Sequence, residues 1–191
     1  MSELICGLSS SAAAERAKVA GEIFRRGREL ARLAIAAWLK DETLAKLFIT
    51  DASGFPEATV GVAVEPATFE TIRQAFGAPP LAEVTPDQDA QEFELEFPGG
   101  VRLDILTSRD RAGSGAIARH LQKFAQSIQQ VELRVKNVDA ACAELQSRFR
   151  LTPVYPGTRP GANGTRINFF LVPASEGKKV LVELVEARTP A

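Results

Sequence analysis

Val60-Gly-Val-Ala-Val-Glu65, leading into a helical stretch from Ala67 to Phe76, returns 71 residues later as Val131-Glu-Leu-Arg-Val-Lys136, leading into a second helical stretch from Val138 to Phe149. The second half of each repeat agrees. Gly100-Val-Arg-Leu-Asp-Ile-Leu106 has its counterpart in Lys179-Val-Leu-Val-Glu-Leu-Val185, with Asp104 and Glu183 in register at an offset of 79. Between these landmarks lie Glu92-Phe-Glu-Leu-Glu-Phe97 and Arg166-Ile-Asn-Phe-Phe-Leu-Val172, each followed by proline. Each half therefore reads strand, helix, then two or three strands, and neither can bury both faces of its sheet unaided. The expected fold is α+β: two βαβββ modules forming one curved, cupped sheet.

Period-two alternation sorts the side chains by face. Val60, Val62 and Val64, with Val131, Leu133 and Val135, form apolar stripes suited to packing beneath the module helices, as do Phe93, Leu95 and Phe97. The opposite face is expected to carry Thr59, Gly61 and Ala63; Glu92, Glu94 and Glu96; Arg102 and Asp104; Gln130, Glu132 and Arg134; Arg166 and Asn168; and Glu183. A concave face this polar either lines a ligand or meets water, and the cupped arrangement favours a small-molecule ligand.

Upstream, residues 11–40 are rich in Ala, Arg, Glu and Leu, and Val19, Ile23, Leu30, Ala34 and Trp38 mark one face of an amphipathic helix. That stripe predicts packing on the module sheet or on a second copy of the chain, so a homo-oligomer, a dimer, is the expectation. Arg25, Arg28 and Arg32 share another face, but Glu22 and Glu29 are interspersed, which reads as a solvated charged face. A short helix is expected from Thr43 to Ile49, and Ser53-Gly-Phe-Pro56 then breaks the chain. The boundaries that follow are a helical extension over 1–56, a first module over 57–108, a connecting helix over 109–126 and a second module over 127–188.

Composition narrows the function. Of 191 residues, 23 are basic and 24 acidic, and this balance offers no overall attraction to a polyanion, so nucleic acid is not an expected partner. No apolar run is long enough to span a bilayer, so no membrane partner is expected either. Two cysteines, Cys6 and Cys142, read as reduced thiols, and the start carries Glu3 where an export signal needs a basic region, so a cytoplasmic protein is expected. With one histidine, His120, any mechanism that needs two is ruled out, and this residue reads as a partly buried helical side chain.

The second half also carries a family resemblance. Ile117-Ala-Arg119, Arg159-Pro-Gly-Ala-Asn-Gly-Thr-Arg-Ile-Asn-Phe169 and Gly177-Lys-Lys-Val-Leu-Val-Glu-Leu-Val-Glu186 resemble the C-terminal module of methylmalonyl-CoA epimerases, members of the vicinal oxygen chelate (glyoxalase-like) superfamily. The match runs without gaps from Ala116 to Val135. The first module, from Thr59 to Ser108, resembles the family more weakly, through Pro86-Asp-Gln88 and the strand holding Asp104.

The resemblance implies a divalent metal in the cup that polarises a thioester carbonyl, and a pair of glutamates that exchange protons on opposite faces of the neighbouring carbon. The four ligand positions fall on Thr59, Asp104, Gln130 and Glu183, and the proton-exchanging glutamates on Glu92 and Glu183. Both histidines of the family's ligand set are replaced: the first-module histidine reads Thr59, and the His-His pair before the second module reads Gln129-Gln130. The family's His-Pro near the last turn reads Val172-Pro173. An all-oxygen set suits no metal, or a weakly held Mg²⁺, Ca²⁺ or Mn²⁺ rather than Zn²⁺ or Co²⁺.

Two functions are therefore expected as alternatives. One is an isomerase or lyase on a small carbonyl or acyl-CoA compound, using Glu183 and Glu92 as acid/base groups. The other is a non-catalytic ligand-binding or assembly protein that has kept the fold and lost the metal. Structural roles also fit the same residues. Glu92, Glu94 and Glu96 suit the wet side of an edge strand, Asp104 can pair with Arg102 or Arg134, and Glu183 with Arg166. The glycines of Gly161-Ala-Asn-Gly164 serve a ligand-closing loop or an ordinary turn.

Overall fold

In the computed structural model, which describes residues 1–85, 89–174 and 178–186, helices α1 (Ser2–Gly7), α2 (Ala13–Trp38) and α3 (Glu42–Ala45) precede the repeat. The first module is β1 (Ala58–Ala63), α4 (Pro66–Ala75), β2 (Ala90–Phe97) and β3 (Val101–Ser108). After the connecting helix α5 (Ala116–Phe124), the second is β4 (Ser127–Arg134), α6 (Val138–Phe149), β5 (Arg159–Pro160), β6 (Arg166–Pro173) and β7 (Lys179–Glu186). The fold is α+β with mixed strand pairing, as the repeat predicts. Pro66 opens α4 at its first turn, and Asn137 caps α6 by accepting the Ala140 N–H at 2.8 Å. Among the described residues no helix is long and apolar enough to cross a membrane.

The chain divides into two compact units. Unit 1 comprises residues 1–27 and 59–129. Its strands run in the order β2-β3-β1, with β2 and β3 antiparallel and β1 parallel to β3. The hairpin between β2 and β3 turns at Gly99 and Gly100, at φ 80° and 73°, where a side chain would be strained. One face buries Val60, Val62, Phe93, Leu95, Leu103 and Ile105 against Phe69 and Ile72 of α4, and Phe69 meets Phe93 edge-to-face at 4.9 Å. The first half of α2 packs on β1 so closely that a Cβ at Gly27 would lie 2.5 Å from Val60 Cγ2, so glycine is required for the approach.

Unit 2 comprises residues 28–58 and 130–191, with the order β4-β7-β6-β5: β4 is parallel to β7, and β7, β6 and β5 pair antiparallel. Val131, Leu133, Phe170, Val172, Val182 and Leu184 are buried on one side, with Val138, Ala141 and Leu145 of α6 also in the core. The second half of α2 contributes Ile35 and Trp38, and the Trp38 ring stacks on Phe48 at 6.2 Å. Arg28 lies over the Phe55 ring at 3.9 Å and pairs with Asp51 at 3.4 Å.

Three details differ from the sequence-based expectation. The buried stripe of α2 runs through Val19, Ala20, Ile23, Phe24, Gly27, Ala31, Ile35 and Trp38; Leu30 and Ala34 lie at its margin, because small residues admit the closer contact. The short helix ends at Ala45: Ile49 N–H donates to the Arg134 carbonyl at 3.0 Å and Phe48 bridges Val135, so strand pairing takes over from the helix. The charged face of α2 is the solvated one expected for Arg25 and Arg32, with Arg25 and Arg26 on Glu22 and Arg32 on Glu29. Arg28 is the exception.

Candidate functional site

In unit 2 the parallel register sets Gln130 against Leu181 and Glu132 against Glu183, which places Gln130 and Glu183 on the face away from α6. Both are buried, at 8% and 7% exposure, and the Gln130 Nε2 group donates to Glu183 Oε2. A carboxylate inside Val-Leu-Val-Glu-Leu-Val is costly to desolvate, and a hydrogen bond to its charged form offsets part of that cost. The amide turns its N–H side to the carboxylate and keeps its Oε1 as an acceptor for another group.

In unit 1 the registers place Thr59, Gly61, Ala63, Arg102, Asp104, Leu106, Glu92, Glu94 and Glu96 on one face, as the alternation predicts. Thr59 is buried, and Asp104 and Glu92 are partly buried. The alternation alone leaves this face open, but α5 lies across part of it: Ile117 and Leu121 pack on Ala63, Ala90 and Leu106, with Val84 alongside. Leu106 is the cross-strand partner of Glu92. Burial pushes the Glu92 carboxyl up to about 7, and the Glu94 charge adds to the rise.

A raised carboxyl pKa makes folding depend on pH with a defined sign. Between pH 4.5 and 7 the native state keeps a proton on Glu92 that the unfolded chain has released, so stability falls as pH rises through that window, by about 3 kcal/mol in all. Glu92→Gln cannot ionise. The variant is expected to match the parent at pH 4 and to exceed its urea stability by about that amount at pH 8; equal stability at both pH values would contradict the burial of this carboxyl.

Other expectations are corrected. Arg166 and Asn168 pair with Glu186 and Leu184, which puts them on the opposite face from Glu183. Arg166 binds Asp139 and Glu186, and Asn168 is buried with its amide donating to the Tyr155 carbonyl at 3.1 Å and accepting the Tyr155 N–H at 3.3 Å. Their β6 strand begins one residue out of phase with the alternation assumed from Glu183. Arg134, offered as a partner for Asp104, pairs with Glu57 at 3.6 Å. Gly161 to Gly164 is turn chemistry: a 3₁₀ turn over Ala162–Gly164 with Asn163 at φ 53° and Gly164 at φ 73°.

His120 is half-buried on α5 with Nε2 2.9 Å from Ser127 Oγ and its ring 5.2 Å from Phe124, and burial lowers its pKa. The Cys142 thiol is buried and pushed up to about 11, so it is inert. Pro86-Asp-Gln88 and Gly177 lie outside the described residues.

The side chains at the positions matched to the family's ligands do not suit a transition metal. Thr59 and Gln130 supply a hydroxyl and an amide where imidazoles would be needed. The chemistry available is that of carboxylates: Glu183, held by an amide donor, and Glu92, poised near neutrality.

No family model and no curated protein sequence matches the chain. Solved structures do. Methylmalonyl-CoA epimerase from Mycobacterium tuberculosis is 32% identical over 69% of this chain and 87% of its own length, with a TM-score of 0.56. A single-site variant of Streptomyces coelicolor methylmalonyl-CoA epimerase, in complex with 2-nitronate-propionyl-CoA, is 24% identical over 70% of this chain and 98% of its own, with a TM-score of 0.56. This second likeness shows the fold alone.

Proposed function

The chain belongs to the methylmalonyl-CoA epimerase family, and on that premise we propose that it is a divergent isomerase of an acyl-CoA or related small carbonyl compound, moving a proton on the carbon next to the carbonyl. Glu183 and Glu92 serve as the acid/base pair, and the chemistry proceeds without a transition metal; a weakly held Mg²⁺, Ca²⁺ or Mn²⁺ is the most the oxygen donors would take. The observation that carries this reading is Glu183: a carboxylate kept at 7% exposure within the apolar run from Val180 to Val185, with an amide aimed at it. Such a group is expensive for the fold and suited to proton transfer. Glu92, with a pKa of about 7, is half ionised at neutral pH and so can serve as base or acid.

A second reading, a binding or assembly protein that has lost its chemistry, is favoured by one feature, the Gln130 amide tied to Glu183 where the family resemblance implies a metal ligand. The two readings part on a single assay. Incubation with one C2 epimer of methylmalonyl-CoA, followed by separation of the epimers, is expected to give the mixture with the parent chain and the unchanged epimer with Glu92→Gln. An unchanged epimer with the parent, in buffers with and without Mg²⁺ or Mn²⁺, would favour the binding protein.

A further inference from the structure

Ala125 and Gln126 join α5 to β4, and this short connection brings the chain's one histidine onto a serine. His120, one turn before the end of α5, holds its Nε2 2.9 Å from the Oγ of Ser127, the first residue of β4. The Ala125 carbonyl lies 3.2 Å from the same hydroxyl, so the hydroxyl proton has two acceptors and the imidazole is the nearer. Ala125 itself stands at φ 54° and ψ −162°, a conformation that glycine adopts readily and alanine does not. Surrounding contacts therefore hold the turn that carries Ser127, and strain of this kind gathers where a side chain must be kept in a set position. Burial lowers the His120 pKa, so its ring is neutral at pH 7 and able to take a proton. Ser127 is half-buried while Phe124 and Ala125 are exposed, which leaves the hydroxyl within reach of a small molecule.

We infer that Ser127 and His120 form a second reactive site, a serine nucleophile with its general base, which accepts the acyl group of a small ester or thioester. Neither Glu92 nor Glu183 takes part, so this activity is separate from the proton exchange proposed for them. Ser127 Oγ forms a bond to the acyl carbon while its proton passes to His120 Nε2. The bond from that carbon to the leaving oxygen or sulfur breaks, and the leaving atom takes the proton from the imidazole. Serine ends as its acyl ester and histidine ends neutral. The Phe124 ring, 5.2 Å from the imidazole and 57% exposed, gives an apolar acyl chain a surface to lie on.

Two probes test this on the full chain. An alkyl fluorophosphonate, from which an activated serine displaces fluoride, is followed by intact mass and peptide mapping; p-nitrophenyl butyrate is followed by nitrophenolate release. The parent is expected to carry a single fluorophosphonate adduct, on Ser127, and to lose it when urea unfolds the protein before labelling. Both Ser127 and His120 are partly exposed, so Ser127→Ala and His120→Gln keep the fold. Ser127→Ala is expected to take no label and to release nitrophenolate no faster than buffer, and His120→Gln to slow both reactions at least about tenfold. An unlabelled parent, or a label on another serine, would overturn the site whatever the variants do. Nitrophenolate release that Ser127→Ala leaves unchanged, or labelling of His120→Gln at the parental rate, would overturn it as well.

Discussion

Trp38→Ala is expected to cost about 3–5 kcal/mol of folding stability, the range for removing a large aromatic ring from a close-packed core. The indole is 2% exposed at the end of α2 and stacks on Phe48, in a segment that in turn bridges to Val135 beyond β4. Its removal leaves a cavity beside Phe48 in a close-packed core. In a chain of this size the loss lowers Tm by about 10 °C, read by calorimetry or urea unfolding. A cost below about 1 kcal/mol would mean that the N-terminal helix is an appendage rather than part of the core.

Glu183→Gln is expected to reduce proton exchange on an acyl-CoA substrate by a factor of about 10²–10⁴ while leaving stability at neutral pH near that of the parent. The two effects separate because glutamine is nearly isosteric with glutamate and its amide oxygen still accepts the Gln130 N–H. What disappears is the ability to take and return a proton. Comparing epimerisation rates and urea midpoints of the two proteins checks both halves of the statement. A rate unchanged by the substitution would remove Glu183 from the chemistry.

The sequence made the modules legible because strand alternation and helix periodicity repeat at a fixed offset: Val60 and Val131 both lie in buried strand stripes, and Val138 to Phe149 is helical. The face of β3 was legible for the same reason, since polar and apolar residues alternate from Arg102 to Ile105. Arg166 and Asn168 were misplaced because β6 carries apolar residues at consecutive positions, Phe169, Phe170 and Leu171, so its own alternation does not say which side is in; the register with β7 decides it. The cover that α5 lays over Leu106 and the hydrogen bond from Gln130 to Glu183 depend on tertiary packing and on cross-strand register, neither of which has a local signature. Glu92 was legible as a candidate, but its shift toward neutrality was not, because the cause is desolvation by neighbours far apart in the chain.

Whether carboxylates of this chain exchange a proton at the carbon next to a thioester carbonyl is tested most directly by deuterium incorporation. Methylmalonyl-CoA is incubated with the parent protein in D₂O, and the mass and proton spectrum of the acyl group are followed with time. One deuterium is expected at C2, entering far faster than in protein-free buffer, with a rate that rises through pH 7 as Glu92 ionises and falls when Glu183 is changed to Gln. Incorporation no faster than in protein-free buffer, with or without added divalent metal, would contradict the proton-exchange chemistry assigned to these two glutamates.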